Sequence, residues 1–423
     1  MPDRHVPLFR RRVFRRRELR RGAVSRAGSQ SWAVTLTISA LMALATGVVT
    51  LSVVPATASA APVSAGLPDV TVRSTTAPMT NLTSHTGVTR TAGCPTGSLV
   101  GGGGYLRNAT DPATLPTNGL VLGGSNPSIG ASPVDQPVAD GAVNPSSWMA
   151  LANFTGVAES GDQATAFALC ASNGPTQTVV KSTTTTGANA TQQVNPPTLT
   201  IATCPSGTNL IGGGAFTETP DQVNDGTTIG NNGNLKPAGS YPSDSSGVPA
   251  ADGSTSATSW SAYGSAGITN TTDTVTSIAL CTSDPIPPVQ VTRVDLSGPD
   301  AQTGTTITTA TAVCPTGTRM LGGGFKTDET VNGTSGLQPQ QGFHMRGSYP
   351  STGSGTPPTE VGAGTNPSAW TALLQAGGQN LPAGSSMQLH IFAMCFNAPQ
   401  ATPTPTPTPT VTVTPTPTPT PTP

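Results

Sequence analysis

The residues of this chain whose spacing carries chemistry are six cysteines. Cys94, Cys204 and Cys314 recur in two steps of 110 residues, each opening a Cys-Pro-(Thr/Ser)-Gly segment, and Cys170, Cys281 and Cys395 follow them at a matching interval. Two thiols per repeat in a chain with an export signal read as a disulfide framework. Pairing within each repeat predicts Cys94–Cys170, Cys204–Cys281 and Cys314–Cys395 and uses every thiol. Bridging successive repeats (Cys170–Cys204, Cys281–Cys314) leaves two over. A bridge closing somewhat under eighty residues stabilises by roughly 4 kcal/mol on a chain-entropy basis.

Other reactive constellations are sparse. After the export segment the histidines are His85, His344 and His390, which share no repeat position and have no metal-ligand spacing. Neither a Gly-x-Ser-x-Gly elbow nor a Ser-x-x-Lys pair occurs. No cofactor and no catalytic residue are expected, so the chain reads as a non-enzyme. Acidic residues do recur after each first cysteine: Asp111, Glu218 with Asp221, and Asp328 with Glu329. In the second repeat Glu218, Asp221 and Asp225 form a weak candidate calcium set, against the alternative of a solvated polar loop. Tyr241, Tyr263 and Tyr349 are candidate glycan contacts if their rings are exposed to stack on sugars.

The elements that must position these residues have a period of two, the signature of strands. Each repeat opens on a β-branched run (Val70–Arg73, Thr178–Lys181, Val289–Thr292), and a second run leads into its first cysteine. The Cys-Pro-x-Gly turn feeds a strand that enters a glycine triplet: Gly102, Gly103 and Gly104; Gly212, Gly213 and Gly214; Gly322, Gly323 and Gly324. The absence of a Lys-(Ser/Thr) after these triplets sets aside a phosphate cradle. Glycines within a strand predict a bulge or the close approach of a backbone or ring, here the repeat's own tryptophan or Tyr105, Phe216 or Phe325. About forty Gly, Pro, Ser and Asn-rich residues then read as a loop. Ser240-Tyr241-Pro242 and Ser348-Tyr349-Pro350 recur within it, and the first repeat lacks that tripeptide. Trp148, Trp260 and Trp370 open the next strand, and the last strand runs into the second cysteine.

The expected fold is all-β: three tandem disulfide-stapled antiparallel β-sandwich-like modules of about six strands, spanning residues 70–175, 176–286 and 287–399. The alternative is a single β-prism-like body built from the three repeats. A repeat of about 105 residues buries roughly two-thirds of its unfolded surface, enough for a core. Aromatic residues make up only 4% of the chain, so the bridges are expected to matter.

The ends differ from the repeats. Residues 1–60 read as an export signal, with ten arginines from Arg4 to Arg26, an uncharged apolar run at 33–54 and a small-x-small site at Ala58-Ser59-Ala60. An uncleaved membrane anchor is the competing reading, since the run is long enough to span a bilayer. Residues 61–69 form a linker. Residues 400–423 alternate Thr and Pro, a disordered low-complexity stalk of roughly 3.1 Å per residue. Without residues 1–60 the chain keeps nine basic and eighteen acidic residues, a net charge near −9. Such a balance excludes nucleic-acid binding through a basic patch.

The Cys-Pro-x-Gly, Gly-Gly-Gly, Trp, Cys frame with its Thr-Pro tail resembles repeats of exported bacterial proteins of no assigned role. The Cys-Pro-x-Gly turn also has a weaker likeness to vitelline membrane outer layer proteins, which implies three sheets in one β-prism. Together these readings describe a secreted, non-enzymatic bacterial surface or matrix protein, extracellular or on the cell surface. The alternative is a carbohydrate- or cell-wall-binding protein, and a secreted hydrolase stands third. Expected partners are a glycan or cell wall, with membrane contact only through an uncleaved signal.

Overall fold

The structure, a computed structural model, describes residues 69–79, 87–95, 99–108, 120–130, 135–154, 161–185, 198–218, 235–266, 274–300, 307–331, 334–337, 343–353, 366–376 and 386–396. The expected export segment and the Thr-Pro tail lie outside them. Every regular element among these residues is a strand, and none is a helix long and apolar enough to cross a membrane.

The first repeat carries β1 (Val70–Pro78), β2 (Gly87–Gly93), β3 (Leu99–Asn108), β4 (Leu120–Ser128), β5 (Ser147–Phe154) and β6 (Asp162–Ala171). The second carries β7 (Thr178–Thr185), β8 (Thr198–Thr203), β9 (Asn209–Glu218), β10 (Leu235–Ser243), β11 (Ser259–Ala266) and β12 (Thr274–Thr282). The third carries β13 (Val289–Asp300), β14 (Ile307–Val313), β15 (Arg319–Val331), a short β16 (Thr334–Leu337), β17 (Phe343–Ser351), β18 (Ala369–Ala376) and β19 (Ser386–Phe396).

Within a repeat the strands form two three-stranded leaves. In the first repeat β1-β6-β3 is one leaf and β2-β5-β4 the other. The disulfide joins the leaves, because Cys94 follows the end of β2 while Cys170 lies in β6. The same holds for Cys204–Cys281 and Cys314–Cys395, with Cα separations of 5.6 to 5.7 Å in all three bridges. The predicted pairing is therefore the observed one, and each repeat is a stapled, sandwich-like pair of leaves.

The leaves do not end at the repeat. Sheet order is β1-β6-β3-β17-β18-β14, β2-β5-β4-β9-β12-β7 and β13-β19-β15-β10-β11-β8, all antiparallel, with β16 beside β15. Each sheet thus takes half its strands from one repeat and half from another. The first repeat joins the second, the second the third and the third the first, a cyclic closure of like units within one chain. The module and the single body are both present, at different levels of the same architecture. One apolar cluster accordingly draws on all three repeats, with Leu99 and Trp148, Ile211 and Ile278, and Leu321 and Trp370 among its members.

The strand that makes each junction comes from the segment expected to be loop. β4, β10 and β17 are each rich in Gly, Ser and Pro, which disguises them as loop in the sequence. Their contact with the neighbouring repeat is short: Gly124↔Phe216 and Ser125↔Ala215, Gly239↔Lys326 and Ser240↔Phe325, Gly347↔Tyr105 and Ser348↔Gly104. Pro127, Pro242 and Pro350 come after those pairs, where only one neighbouring strand remains, so their missing N–H breaks no ladder.

Candidate functional site

The glycine triplets and the tryptophans meet where the repeats join. A Cβ on Gly102 would lie 2.4 Å from Trp148 Cγ and 2.3 Å from the Phe167 carbonyl oxygen. Gly213 has the same relation to Trp260 and Ile278, and Gly323 to Trp370 and Phe392. Each indole crosses from one leaf of its repeat onto the bare backbone of the other. Each indole N–H also donates to a serine hydroxyl of its own repeat: Trp148 to Ser125 at 2.8 Å, Trp260 to Ser240 and Trp370 to Ser348 at 2.9 Å.

The same serines explain the third glycine. Ser348 O, Ser125 O and Ser240 O would lie 2.1 to 2.5 Å from a Cβ on Gly103, Gly214 and Gly324 of the adjoining repeat. In two repeats the first glycine faces a third neighbour: a Cβ on Gly101 would meet Leu321 O at 2.2 Å, and one on Gly212 would meet Val100 O at 2.8 Å, whereas one on Gly322 meets no described atom within 4 Å. A bulge precedes each, at Val100, Ile211 and Leu321. In the first repeat, with four glycines in a row, these roles fall on Gly101, Gly102 and Gly103 and not on Gly102–Gly104 as the sequence reading had it. Gly104 stands where the other repeats have Ala215 and Phe325. Gly102, Gly213 and Gly323 line one small cavity together with Trp148, Trp370, Ser125, Ser240 and Ser348.

The three tyrosines are not available to sugars. Tyr241, Tyr263 and Tyr349 are 2%, 3% and 2% exposed, which corrects their reading as glycan contacts. Alternation along β10, β11 and β17 points them into packing: Tyr241 against Phe392 and Tyr263, and Tyr349 against Tyr105 and Phe167. The Tyr241 hydroxyl donates to Gly247 O at 3.1 Å, and the Tyr263 hydroxyl donates to Thr327 O. Burial pushes all three phenols up. The counterpart of the Ser-Tyr-Pro tripeptide in the first repeat is Ser125-Asn126-Pro127.

Of the weak calcium set, Glu218 closes β9 and is half-buried, while Asp221 and Asp225 lie outside the described residues. No three His, Cys, Asp or Glu side chains among the described residues come together as a metal centre.

One charged cluster was missed. His390 on β19 lies between two carboxylates, with Nδ1 2.7 Å from Asp295 Oδ1 on β13 and Nε2 3.0 Å from Asp328 Oδ2 on β15. Arg293 donates to Asp295 at 2.6 Å, and Lys326 donates to Asp328. Burial pushes the Asp328 carboxyl up, but the hydrogen bonds and charges of His390 and Lys326 outweigh it and hold the group below the ordinary carboxylate value. Asp295 is held down in the same way by Arg293 and His390. With both ring nitrogens on carboxylates, the imidazole braces three strands and has no nitrogen left for a substrate or metal. The other repeats place a threonine pair at this register, Thr76···Thr165 and Thr183···Thr276, each at 2.8 Å. Counting back from the closing cysteines aligns Thr165, Thr276 and His390, a signal present in the sequence but unused.

Arg346 is a second exception. It occupies the bulge of β17, where the other repeats have Gly123 and Ala238, and is fully buried. Nε donates to Gln375 Oε1 at 2.5 Å, while Nη1 and Nη2 have no hydrogen-bond partner among the described residues. Burial pulls the guanidinium down to about 9, and Asp162 works against that shift.

No family model and no curated protein matches this sequence.

Proposed function

We propose that this chain is an exported, non-enzymatic surface or matrix protein whose three β-modules are fused into one disulfide-stapled body. The observation that carries the reading is the use made of its aromatic and charged side chains. The tryptophan of each repeat, with Tyr241, Tyr263 and Tyr349, is consumed by packing within and between repeats. The His390 cluster has both ring nitrogens on carboxylates. Three disulfides suit an oxidising, extracellular setting. A glycan-reading role loses the tyrosines on which it rested.

The test is a pull-down of the oxidised mature protein on purified cell wall and a panel of insoluble polysaccharides, with fractionation of the producing cells. Recovery of the protein in the surface or medium fraction, with no sugar-competed retention, supports a structural component. Selective retention competed by a soluble sugar replaces it with a glycan reader, and recovery in the cytosol overturns the export reading.

A further inference from the structure

The opening strand of each repeat, β1, β7 or β13, is an outer edge of its sheet, with a row of backbone groups facing away from the ladder. Two of these edges are covered, and by the same device. On β7, Val179 N donates to Ala142 O at 2.8 Å and Gly141 N donates to Val179 O at 3.0 Å. Lys181 N then donates to the Asp140 carboxylate at 2.8 Å. On β13, Val291 N donates to Ser254 O and Gly253 N to Val291 O, both at 2.8 Å, and Arg293 N donates to Asp252 at 2.9 Å. The cover in both cases is an Asp-Gly pair in the preceding repeat, its glycine at φ +75° and followed by a small residue. Val179 and Val291 are 1% and 0% exposed beneath it.

The corresponding edge of the first repeat differs. Val72 takes the place of Val179 and Val291, pairing with Leu169 as they pair with Leu280 and Met394. It is only half-buried, and neither Val72 nor Ser74, the counterpart of Lys181 and Arg293, has a capping partner among the described residues. The third repeat, whose turn it would be to supply the cover, has Gly362-Ala363 eight and seven residues before Trp370, where the others have Asp-Gly before their tryptophans.

We propose that the β1 edge is a strand-addition site for an extended segment of a partner protein carrying Asp-Gly followed by a small residue. The aspartate caps Ser74 N–H, and the next backbone groups pair with Val72 N–H and C=O. The two filled edges define the occupant, because the molecule twice binds that peptide chemistry at the equivalent place. Exposed Arg73 between the two contact residues favours an acidic ligand. Main-chain pairing supplies the affinity and the aspartate the selectivity, the usual division in β-augmentation.

The test titrates the full oxidised protein into a labelled peptide with the sequence Ala139 to Pro145 and reads anisotropy, with hydrogen exchange mapping the contact. Expected are saturable binding, slowed exchange confined to residues 70–78, and binding about ten-fold weaker when the peptide's aspartate is alanine. Val72→Pro removes the outward donor, which an edge strand tolerates, and is expected to weaken binding by a similar factor. Absence of saturation up to about 1 mM overturns the proposal, as does protection elsewhere. Self-association that protects residues 70–78 without peptide overturns it too, by putting a second copy on the edge. Should Val72→Pro unfold, the exchange map on the unsubstituted chain decides.

Discussion

The ring of Tyr349 lies 5.9 Å from that of Phe167 with the planes 28° apart, and Tyr241 stands in the same relation to Phe392, at 5.9 Å and 26°. Each pair crosses a junction between repeats, the third to the first and the second to the third. The junction from first to second has Asn126 and Ile278 in those places and no ring pair. Since only two register pairs connect the backbones at each junction, these rings are a main source of cohesion between repeats.

Truncating Tyr349 or Tyr241 to alanine is therefore expected to destabilise the body by about 3–5 kcal/mol. A double-mutant cycle of Tyr349→Ala with Phe167→Ala should return a coupling of about 0.5–1.5 kcal/mol, read from urea midpoints. Zero coupling would show that the two rings act independently.

The triplet glycines make a sharper contrast. Gly323→Ala places a methyl against the Trp370 indole and the Phe392 carbonyl and is expected to cost more than about 3 kcal/mol. Gly322→Ala meets nothing within 4 Å and should lie within about 1 kcal/mol of the parent. Thermal melts of the two variants side by side test the assignment, and equal effects would contradict it.

Removing one bridge, as in Cys204→Ala with Cys281→Ala, is expected to cost about 2–5 kcal/mol. Because each bridge joins leaves that belong to different sheets, the loss should register as a single cooperative transition at lower denaturant. A separate early transition confined to the second repeat would show that the repeats unfold on their own.

Acid should act on the third repeat through Asp328. Its carboxyl is held below the ordinary value, so its contribution is fully present above the unfolded pKa, near 4, and is lost as pH falls through the lower folded value. Asp328→Asn is expected to cost about 1–3 kcal/mol at pH 7, and its deficit should shrink as pH approaches 2. Urea midpoints from pH 7 to pH 2 check this, and a deficit independent of pH would assign the loss to packing instead.

Arg346→Met exchanges a buried cation, two of whose nitrogens have no partner among the described residues, for an apolar chain of similar length. A gain of about 1–3 kcal/mol is expected in chemical denaturation. A loss of stability would mean that the hydrogen bond to Gln375 and the nearby Asp162 outweigh the desolvation of the guanidinium.

By itself the sequence determined the repeat, the strands that flank each cysteine, the pairing of the thiols and the packing of a ring or backbone against the glycines, while the structure decided that the ring is the tryptophan. Those follow from periodicity and from residue types whose physics is local: only glycine leaves room for a ring, and only an intact repeat uses every thiol. The tertiary structure decided what the residue types left open. Whether Tyr241 and Tyr349 face water depends on which repeat's phenylalanine lies opposite. Whether Leu120–Ser128 is a loop or a strand depends on a neighbouring triplet that offers its edge. His390 meets Asp295 and Asp328 from positions 95 and 62 residues away along the chain. A two-residue period fixes which face a side chain takes, but the partner on that face is distant in sequence, in the same repeat for His390 and in another repeat for Tyr241 and Tyr349, and only the tertiary fold brings it there.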